Sequence, residues 1–446
     1  MRIYCKTEQH DIGGPGSFYL ARSEKLLPKL IDEYKGKVQL IYLDPPFGTG
    51  DSFQRRSDKD EESRIPLFRD DMPEAEYLKW MRTILTGCHT LLSPTGSLYL
   101  HIDWRMNAKL RLMLDDIFGQ DNFMDEIVWS YKSGGRATRF YPRKHDTILF
   151  YRKSHRVYFN IAAVGQPRGP ERRNHMKQFV DQDGRVGFSI RTNGKLYTYY
   201  EDDLIYPSDV WTDIEHLQQK DKERLGYATQ KPEALLERII LASSREGDLV
   251  CDLFSGSGTT AAVAVKTGRR FLAVDASPLS LITLRKRLLS LASRPTLLDE
   301  PEADDRVLTL HYHANRNKCD VSYSVTDHAV TIAEAQLNRR PSPLSYVAMG
   351  YVQEQVFYPI RTVTKPKLPV KLSLPVDVDR PVVQLVNAYG DQAFFTVDGS
   401  KRIKKEPSFG SFFVPEIAGK ANQEGNGHAV QKRVARQRKD FGQYVR

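Results

Sequence analysis

Cysteine is scarce in this 446-residue chain: Cys5, Cys88, Cys251 and Cys319 are scattered, with no paired spacing. That pattern excludes a disulfide framework and a zinc knuckle and leaves four free thiols. Long apolar runs are missing as well. No stretch approaches the roughly 20 apolar residues of a membrane span, and the opening "MRIYCKTEQHDIGG" lacks the apolar run of a signal peptide. A cytoplasmic protein with no membrane contact is therefore the expectation. No internal repeat is visible. Metal ligands are also thin: His101 and Asp103 end a strand together, but no third ligand has a suitable spacing, so no metal is expected.

What is present suggests a globular chain of two to three domains, with 40% hydrophobic and 27% charged residues. Lysine and arginine number 66 against 56 acids, a net charge of +10. The isoelectric point is near 9.2. Such a balance favours a polyanionic partner, because basic side chains gain affinity by displacing counterions from phosphates. Nucleic acid is a better fit than an acidic membrane surface, since no basic amphipathic helix stands out.

Strand and helix signals alternate in the first third of the chain. Val38 to Leu43 reads as a buried strand, and a polar stretch from Gly48 to Asp71 reads as a mobile loop. Apolar residues then recur at helical spacing from Glu74 to Leu92. Ser93-Pro94-Thr95-Gly96 breaks that helix, Ser97 to Ile102 forms a second strand, and a helix from Met106 stops at Gly119. Between Trp129 and Tyr227 basic and aromatic residues dominate, with a hairpin signal at Asn193-Gly194. The alternation returns afterwards. Pro232 opens a helix to about Ser244, Leu249 to Phe254 is a strand, a helix runs to about Thr267, Phe271 to Val274 is a strand, and Leu279 to Leu291 is a helix. The pattern predicts an α/β fold, a Rossmann-like doubly wound sheet, interrupted by an inserted region and followed by a small β-rich C-terminal module.

Gly256-Ser257-Gly258-Thr259-Thr260-Ala261 is a G-x-G-x-x-A sequence where a strand opens into a helix. Glycines there let a ligand approach the backbone, and the helix N-terminus offers free N–H groups. Asp275 ends the next predicted strand, where a carboxylate can accept from ribose hydroxyls. Together these point to an adenosine-containing cofactor. NAD and S-adenosylmethionine both satisfy this pattern. A dinucleotide domain would continue through further strand-helix units, and here they end after one, so the remaining strands must come from the N-terminal third. That puts the end of strand 38–43, with Asp44, Pro45, Pro46 and Phe47, on the edge that carries Gly256.

An exocyclic amine of adenine or cytosine is a poor nucleophile because its lone pair is delocalised into the ring. Two acceptors aimed at its N–H bonds would free that lone pair for attack on a methyl group. Asp44 supplies a carboxylate and Pro45 a carbonyl, both pre-aimed because the two prolines restrict the backbone. Phe47 can stack on the base, which must leave the duplex to reach such a pocket.

On these residues the chain resembles the S-adenosylmethionine-dependent DNA amino-methyltransferases of the permuted β group. The motifs "LDPPFGTG", "ATQKPEALLERIILAS", "DLFSGSGTT" and "FLAVDAS" occur in that group's order, over about Val38 to Leu291. The resemblance implies that Asp44, Pro45, Pro46 and Phe47 act on the target base. It implies that Phe254, Gly256, Ser257, Gly258, Thr259 and Asp275 bind S-adenosylmethionine, with Thr229, Lys231 and Pro232 at its methionine end. The cytosine members more often carry Ser in place of Asp44, so N6 of adenine is the implied target. Cytosine-N4 methylation and a non-catalytic DNA-binding subunit are the alternatives. Phe47 replaces the commoner Tyr.

The resemblance divides the chain into 1–130 (catalytic half), 131–226 (target recognition), 227–294 (cofactor half), 295–419 (β-rich module) and 420–446 (basic tail). Arg136, Arg139, Arg143, Lys144, Arg152 and Lys153, interleaved with aromatics, are the candidate contacts to double-stranded DNA. Arg55, Arg56 and Arg64 in the loop before the first helix, and Lys432, Arg433, Arg436, Arg438 and Lys439 in the tail, are further candidates. A homodimer and a cognate restriction enzyme are the other partners considered.

Overall fold

A computed structural model describes residues 7–11, 16–47, 52–56, 64–69, 72–132, 137–169, 175–227, 229–292, 307–311, 319–326, 329–337, 343–353, 356–364, 366–374, 378, 380–389 and 391–397. The first elements are β1 (Thr7–Asp11), β2 (Gly16–Leu20), α1 (Ser23–Tyr34), β3 (Val38–Leu43), β4 (Ser52–Arg56), β5 (Arg64–Arg69), α2 (Glu74–Leu91), β6 (Leu92–Ile102), α3 (Asn107–Phe118), β7 (Phe123–Ser130) and β8 (His145–Arg152). Six short strands follow: β9 (Gln166–Pro167), β10 (Lys177–Val180), β11 (Val186–Thr192), β12 (Lys195–Tyr200), β13 (Leu204–Ile205) and β14 (Val210–Trp211). Then come α4 (Glu233–Ser243), β15 (Leu249–Asp252), α5 (Thr259–Lys266), β16 (Arg270–Asp275) and α6 (Pro278–Ala292). The C-terminal strands are β17 (Val307–His311), β18 (Cys319–Thr326), β19 (Ala329–Leu337), β20 (Leu344–Gln353), β21 (Val356–Thr364), β22 (Val370–Ser373), β23 (Val382–Asn387) and β24 (Gln392–Thr396).

Six strands, β6-β3-β15-β16-β2-β17, lie side by side and parallel at the centre of a 14-stranded sheet. Both faces of such strands are covered, which is why every residue of β3 is buried. Its side chains alternate between two cores. Ile41 and Leu43 join Tyr77, Met81 and Ile84 of α2 on one face, while Leu40 and Tyr42 join Ala261, Ala262 and Val263 of α5 on the other. The helix leaving β3 therefore covers one face and the helix leaving its neighbour β15 covers the opposite face. Where adjacent crossovers diverge in this way, a crevice opens at the carboxyl ends of the two strands.

The structure departs from the sequence reading in several places. Ser93 to Gly96 interrupts helix α2 but lies inside β6, where the register jumps from Val38↔Leu92 to Leu40↔Ser97. Only glycine fits at 96, since a Cβ there would lie 2.9 Å from the carbonyl oxygens of Val38 and Gln39. The polar stretch read as a loop contains an antiparallel hairpin, β4 with β5. Apolar residues on both arms, Phe53 against Phe68, suit strand pairing more than a mobile loop. Pro232 precedes α4 in an extended conformation (φ −67°, ψ 145°) and the helix starts at Glu233, so the proline occupies the capping position.

The basic-aromatic stretch also contributes to the central sheet. Thr147 to Tyr151 of β8 are buried and pair antiparallel with β6, and β7 pairs with β8 in turn. Beyond β8 a separate small sheet, β10-β11-β12, contains the Asn193-Gly194 turn with φ of +48° and +78°, both left-handed as that hairpin requires. At the C-terminal end β18, β19 and β22 form a three-stranded sheet, and β20, β21, β23 and β24 extend the large one. Val330, Ile332, Val347, Val383 and Leu385 form their shared core.

Candidate active site

The crevice between β3 and β15 holds a cavity of about 650 Å³. Asp44, Pro45, Pro46 and Phe47 line it from the end of β3; Phe254, Gly256, Ser257 and Thr259 line it from the turn after β15. Asp275 enters from the end of β16, and Thr229 and Lys231 from the segment before α4. Residues some two hundred positions apart in sequence thus meet because their strands are neighbours.

Asp44 ends the strand as an ionic centre. Lys231 Nζ donates to its Oδ2 at 2.6 Å, with both side chains largely buried. Asp44 Oδ1 has no hydrogen-bond partner among the described residues. Lys231, expected beside a cofactor's methionine end, lines the cavity and is ion-paired with Asp44. Its Nζ is also 5.5 Å from the centre of the Phe47 ring. That ring also stacks on His101, with centroids 6.0 Å apart and planes 25° from parallel.

His101 is fully buried and held at both nitrogens: Tyr42 Oη lies 2.8 Å from Nδ1, and Asp146 Oδ2 lies 3.2 Å from Nε2. Burial pushes the Asp146 carboxyl up, but the His101 and Tyr131 hydrogen bonds and the nearby Lys231 charge outweigh it and hold it below the usual range. His101 is thus a structural support for Phe47.

The turn after β15 is shaped by its glycines. Gly256 (φ +49°) and Gly258 (φ +75°) adopt left-handed backbone. Gly256 faces the cavity, and its N–H donates to Asp275 Oδ2 at 2.7 Å. Gly258 faces away, and a Cβ there would lie 3.1 Å from the Leu284 side chain of α6. Asp275 also accepts from Ser277 N–H at 2.7 Å through Oδ1. Both oxygens are thus oriented by backbone, and burial nevertheless raises its carboxyl to about 6. Behind the turn, Arg287 donates to Thr259 Oγ1 (2.9 Å) and Glu233 (2.7 Å), and Thr259 Oγ1 donates to the Lys231 carbonyl (3.2 Å). These bonds tie the starts of α4 and α5 together. Thr229 carries a positive φ of +60°, a strained conformation for a β-branched residue at a cavity wall.

Some functional candidates escaped the sequence reading. Asp252, at the end of β15, is buried, accepts from Thr260 Oγ1 (2.6 Å) and Phe254 N–H (2.9 Å), and has its carboxyl pushed up to about 7 by burial. Trp80 lines the cavity edge-on to Phe254 (5.4 Å) and donates from Nε1 to Glu24 (3.3 Å). Its position on the apolar stripe of α2 marked it only as core. Tyr227 completes the wall, 3.5 Å from where a Gly256 Cβ would stand.

Among the proposed DNA contacts, Arg139 and Arg143 are exposed and Lys144 is half-buried. Arg152 and Lys153 are engaged within the protein: Arg152 donates to Asn122 Oδ1 (3.2 Å) and the Asp121 carbonyl (2.9 Å), and Lys153 to the His89 carbonyl (2.6 Å). They fasten the end of β8. Arg136, Gly48 to Gly50 and the tail residues Lys432, Arg433, Arg436, Arg438 and Lys439 lie outside the described residues, as do the side chains of Arg55, Arg56 and Arg64.

The family model described as DNA methylase matches residues 38–280, more than half of the chain and every motif residue above. The DNA adenine methyltransferase YhdJ of Escherichia coli (strain K12) is 31% identical over 243 residues, covering 53% of this chain and 71% of that protein. The type II methyltransferase M2.DpnII of Streptococcus pneumoniae is 40% identical over 280 residues, covering 59% and 86% respectively. Among solved structures, the cytosine-N4-specific PvuII DNA methyltransferase aligns over 65% of this chain and 92% of its own, at 15% identity and a TM-score of 0.42.

Proposed function

The chain belongs to the DNA methylase family, and we propose that within it this protein methylates N6 of adenine in double-stranded DNA at a specific sequence, using S-adenosylmethionine. The observation that carries this reading is the meeting of the Asp44-Pro45-Pro46-Phe47 turn and the Gly256 turn in one cavity. One turn is suited to a base and the other to a nucleoside. The cavity fits the cofactor in chemistry: the Asp275 carboxylate is aimed by two N–H bonds and can accept from ribose hydroxyls, and Trp80, Phe254 and Tyr227 offer aromatic walls to an adenine. The cofactor supplies a methyl group on a sulfonium.

Asp44 Oδ1 and the Pro45 carbonyl accept the two N–H bonds of the flipped base's amine, concentrating its lone pair for attack. Lys231 keeps the Asp44 carboxylate oriented through Oδ2. Phe47, backed by His101, stacks on the base plane. Asp44 and the relative named as an adenine methyltransferase support adenine as the target. Exposed Arg139 and Arg143 are the proposed DNA contacts.

The test is to incubate the purified protein with unmethylated DNA and S-adenosylmethionine, digest to nucleosides and identify the product. N6-methyldeoxyadenosine is expected. N4-methyldeoxycytidine would overturn the choice of base, and no methylated nucleoside would favour a non-catalytic DNA-binding subunit.

A further inference from the structure

Beside the Asp44 turn the surface carries aromatic side chains that the fold has not buried. β6 leaves the sheet at Ile102 and turns through Asp103, Trp104 and Arg105. The pair Leu43↔Leu100 keeps β3 and β6 in step, so this turn opens at the same sheet edge as Asp44 to Phe47. His101, three residues before Trp104, is the residue that stacks on Phe47. Trp104 is 49% exposed, Phe140 60% and Tyr141 96%.

The Arg143 guanidinium covers this patch, 4.0 Å from the centre of the Trp104 ring and 5.0 Å from that of Phe140. Arg105 is paired with Asp103, but Arg143 has no carboxylate partner among the described residues. An exposed indole under a cation that has no carboxylate partner among the described residues suits a partner that is both anionic and aromatic. Duplex DNA has both properties: phosphates outside and a base stack inside. Its stack is open where the target base has left.

Resting on the methyltransferase reading above, we propose that Trp104 inserts into the duplex at the position vacated by the target base, with Arg143 holding the indole and meeting a flanking phosphate. Flipping costs base stacking and pairing, and an aromatic wedge restores part of the stacking. The wedge and the receiving pocket then come from adjacent strand ends, Trp104 after β6 and Phe47 after β3.

The test compares two duplexes carrying the site mapped on previously unmethylated DNA, one with the target base correctly paired and one with it opposite an abasic position. Extrusion of the second is already eased. Trp104→Ala is expected to lose about tenfold or more in kcat/KM on the paired duplex and to keep nearly wild-type activity on the other, as a wedge requires. Trp104→Phe, which can still stack, should retain most activity on both. Arg143→Gln should weaken DNA binding and lower the salt slope by about one phosphate contact. Equal loss of Trp104→Ala on the two duplexes would make Trp104 a support of the fold or a docking contact and overturn the proposal, as would no loss on either. Wild-type protein inactive on both would instead overturn the methyltransferase reading itself.

Discussion

After β3 the chain enters the cavity on two prolines, and after β15 it turns on two glycines with left-handed φ, of which Gly256 faces the cavity. The prolines give up conformational freedom and fix the Asp44 carboxylate and the Phe47 ring at the cavity. Gly256 allows close backbone approach at the cavity wall, and its N–H is spent on aiming the Asp275 carboxylate. The electrostatics differ too. Asp44 is paired with a lysine, whereas Asp275 and Asp252 are buried among neutral donors and have raised carboxyls. In the proposed function one turn serves the chemical step and the other serves binding.

The largest expected effect comes from removing the aimed acceptor. Asp44→Ala should lower single-turnover methyl transfer by about 10²–10³-fold or more, the size seen when one preorganised electrostatic contact to a reacting centre is lost. Loss of only a few-fold would mean that the turn merely ends a strand. Gly258→Ala should have a smaller effect and act on the other side of the comparison. A left-handed φ costs a non-glycine residue about 1–2 kcal/mol, and the new Cβ would press on Leu284. Both stability and cofactor affinity should fall, with the rate at saturating cofactor nearly kept; denaturant unfolding and cofactor titration would measure them.

The smallest effect is in the pH dependence of stability. Asp252 has its carboxyl raised to about 7, against an ordinary value near 3.8. A raised acid stabilises the fold fully below its ordinary value, and that contribution is lost as pH rises through the folded value. Wild type should therefore lose stability from about pH 4 to 7, and Asp252→Asn should lose less. Its melting temperature relative to wild type should rise between pH 5 and pH 8. Asp275 titrates in the same direction and its charge helps raise Asp252, so the difference reports Asp252 together with this coupling.

How far the sequence revealed this site depended on whether a feature was local. Asp44 to Phe47 and Gly256 to Gly258 are contiguous, so their backbone chemistry can be read without a fold. The ion pair of Asp44 with Lys231 joins residues 187 apart, and only the packing of α4 and β3 against one another reveals it. Asp252 was hidden because an acid at a strand end resembles a turn former, and Trp80 because a cavity-facing indole on a helix has the spacing of a core residue. Helices α2 to α6 and strands β3, β6, β15 and β16 were legible in the sequence, whereas β2 and α1 were not read from it. β8 was not either, since basic residues flank its apolar run on both sides and its role depends on pairing with β6. The same flanks include Arg152 and Lys153, the candidate DNA contacts that hydrogen-bond within the protein.

The central claim is that the two turns divide the work, Asp44 acting on the base and Asp275 on the cofactor. Calorimetric titration of S-adenosylmethionine into Asp44→Ala and Asp275→Ala tests it most directly. Near wild-type affinity is expected for the first and a loss of about tenfold or more for the second, the size of a charge-assisted hydrogen bond. Equal weakening in both variants, or weakening in Asp44→Ala alone, would contradict it.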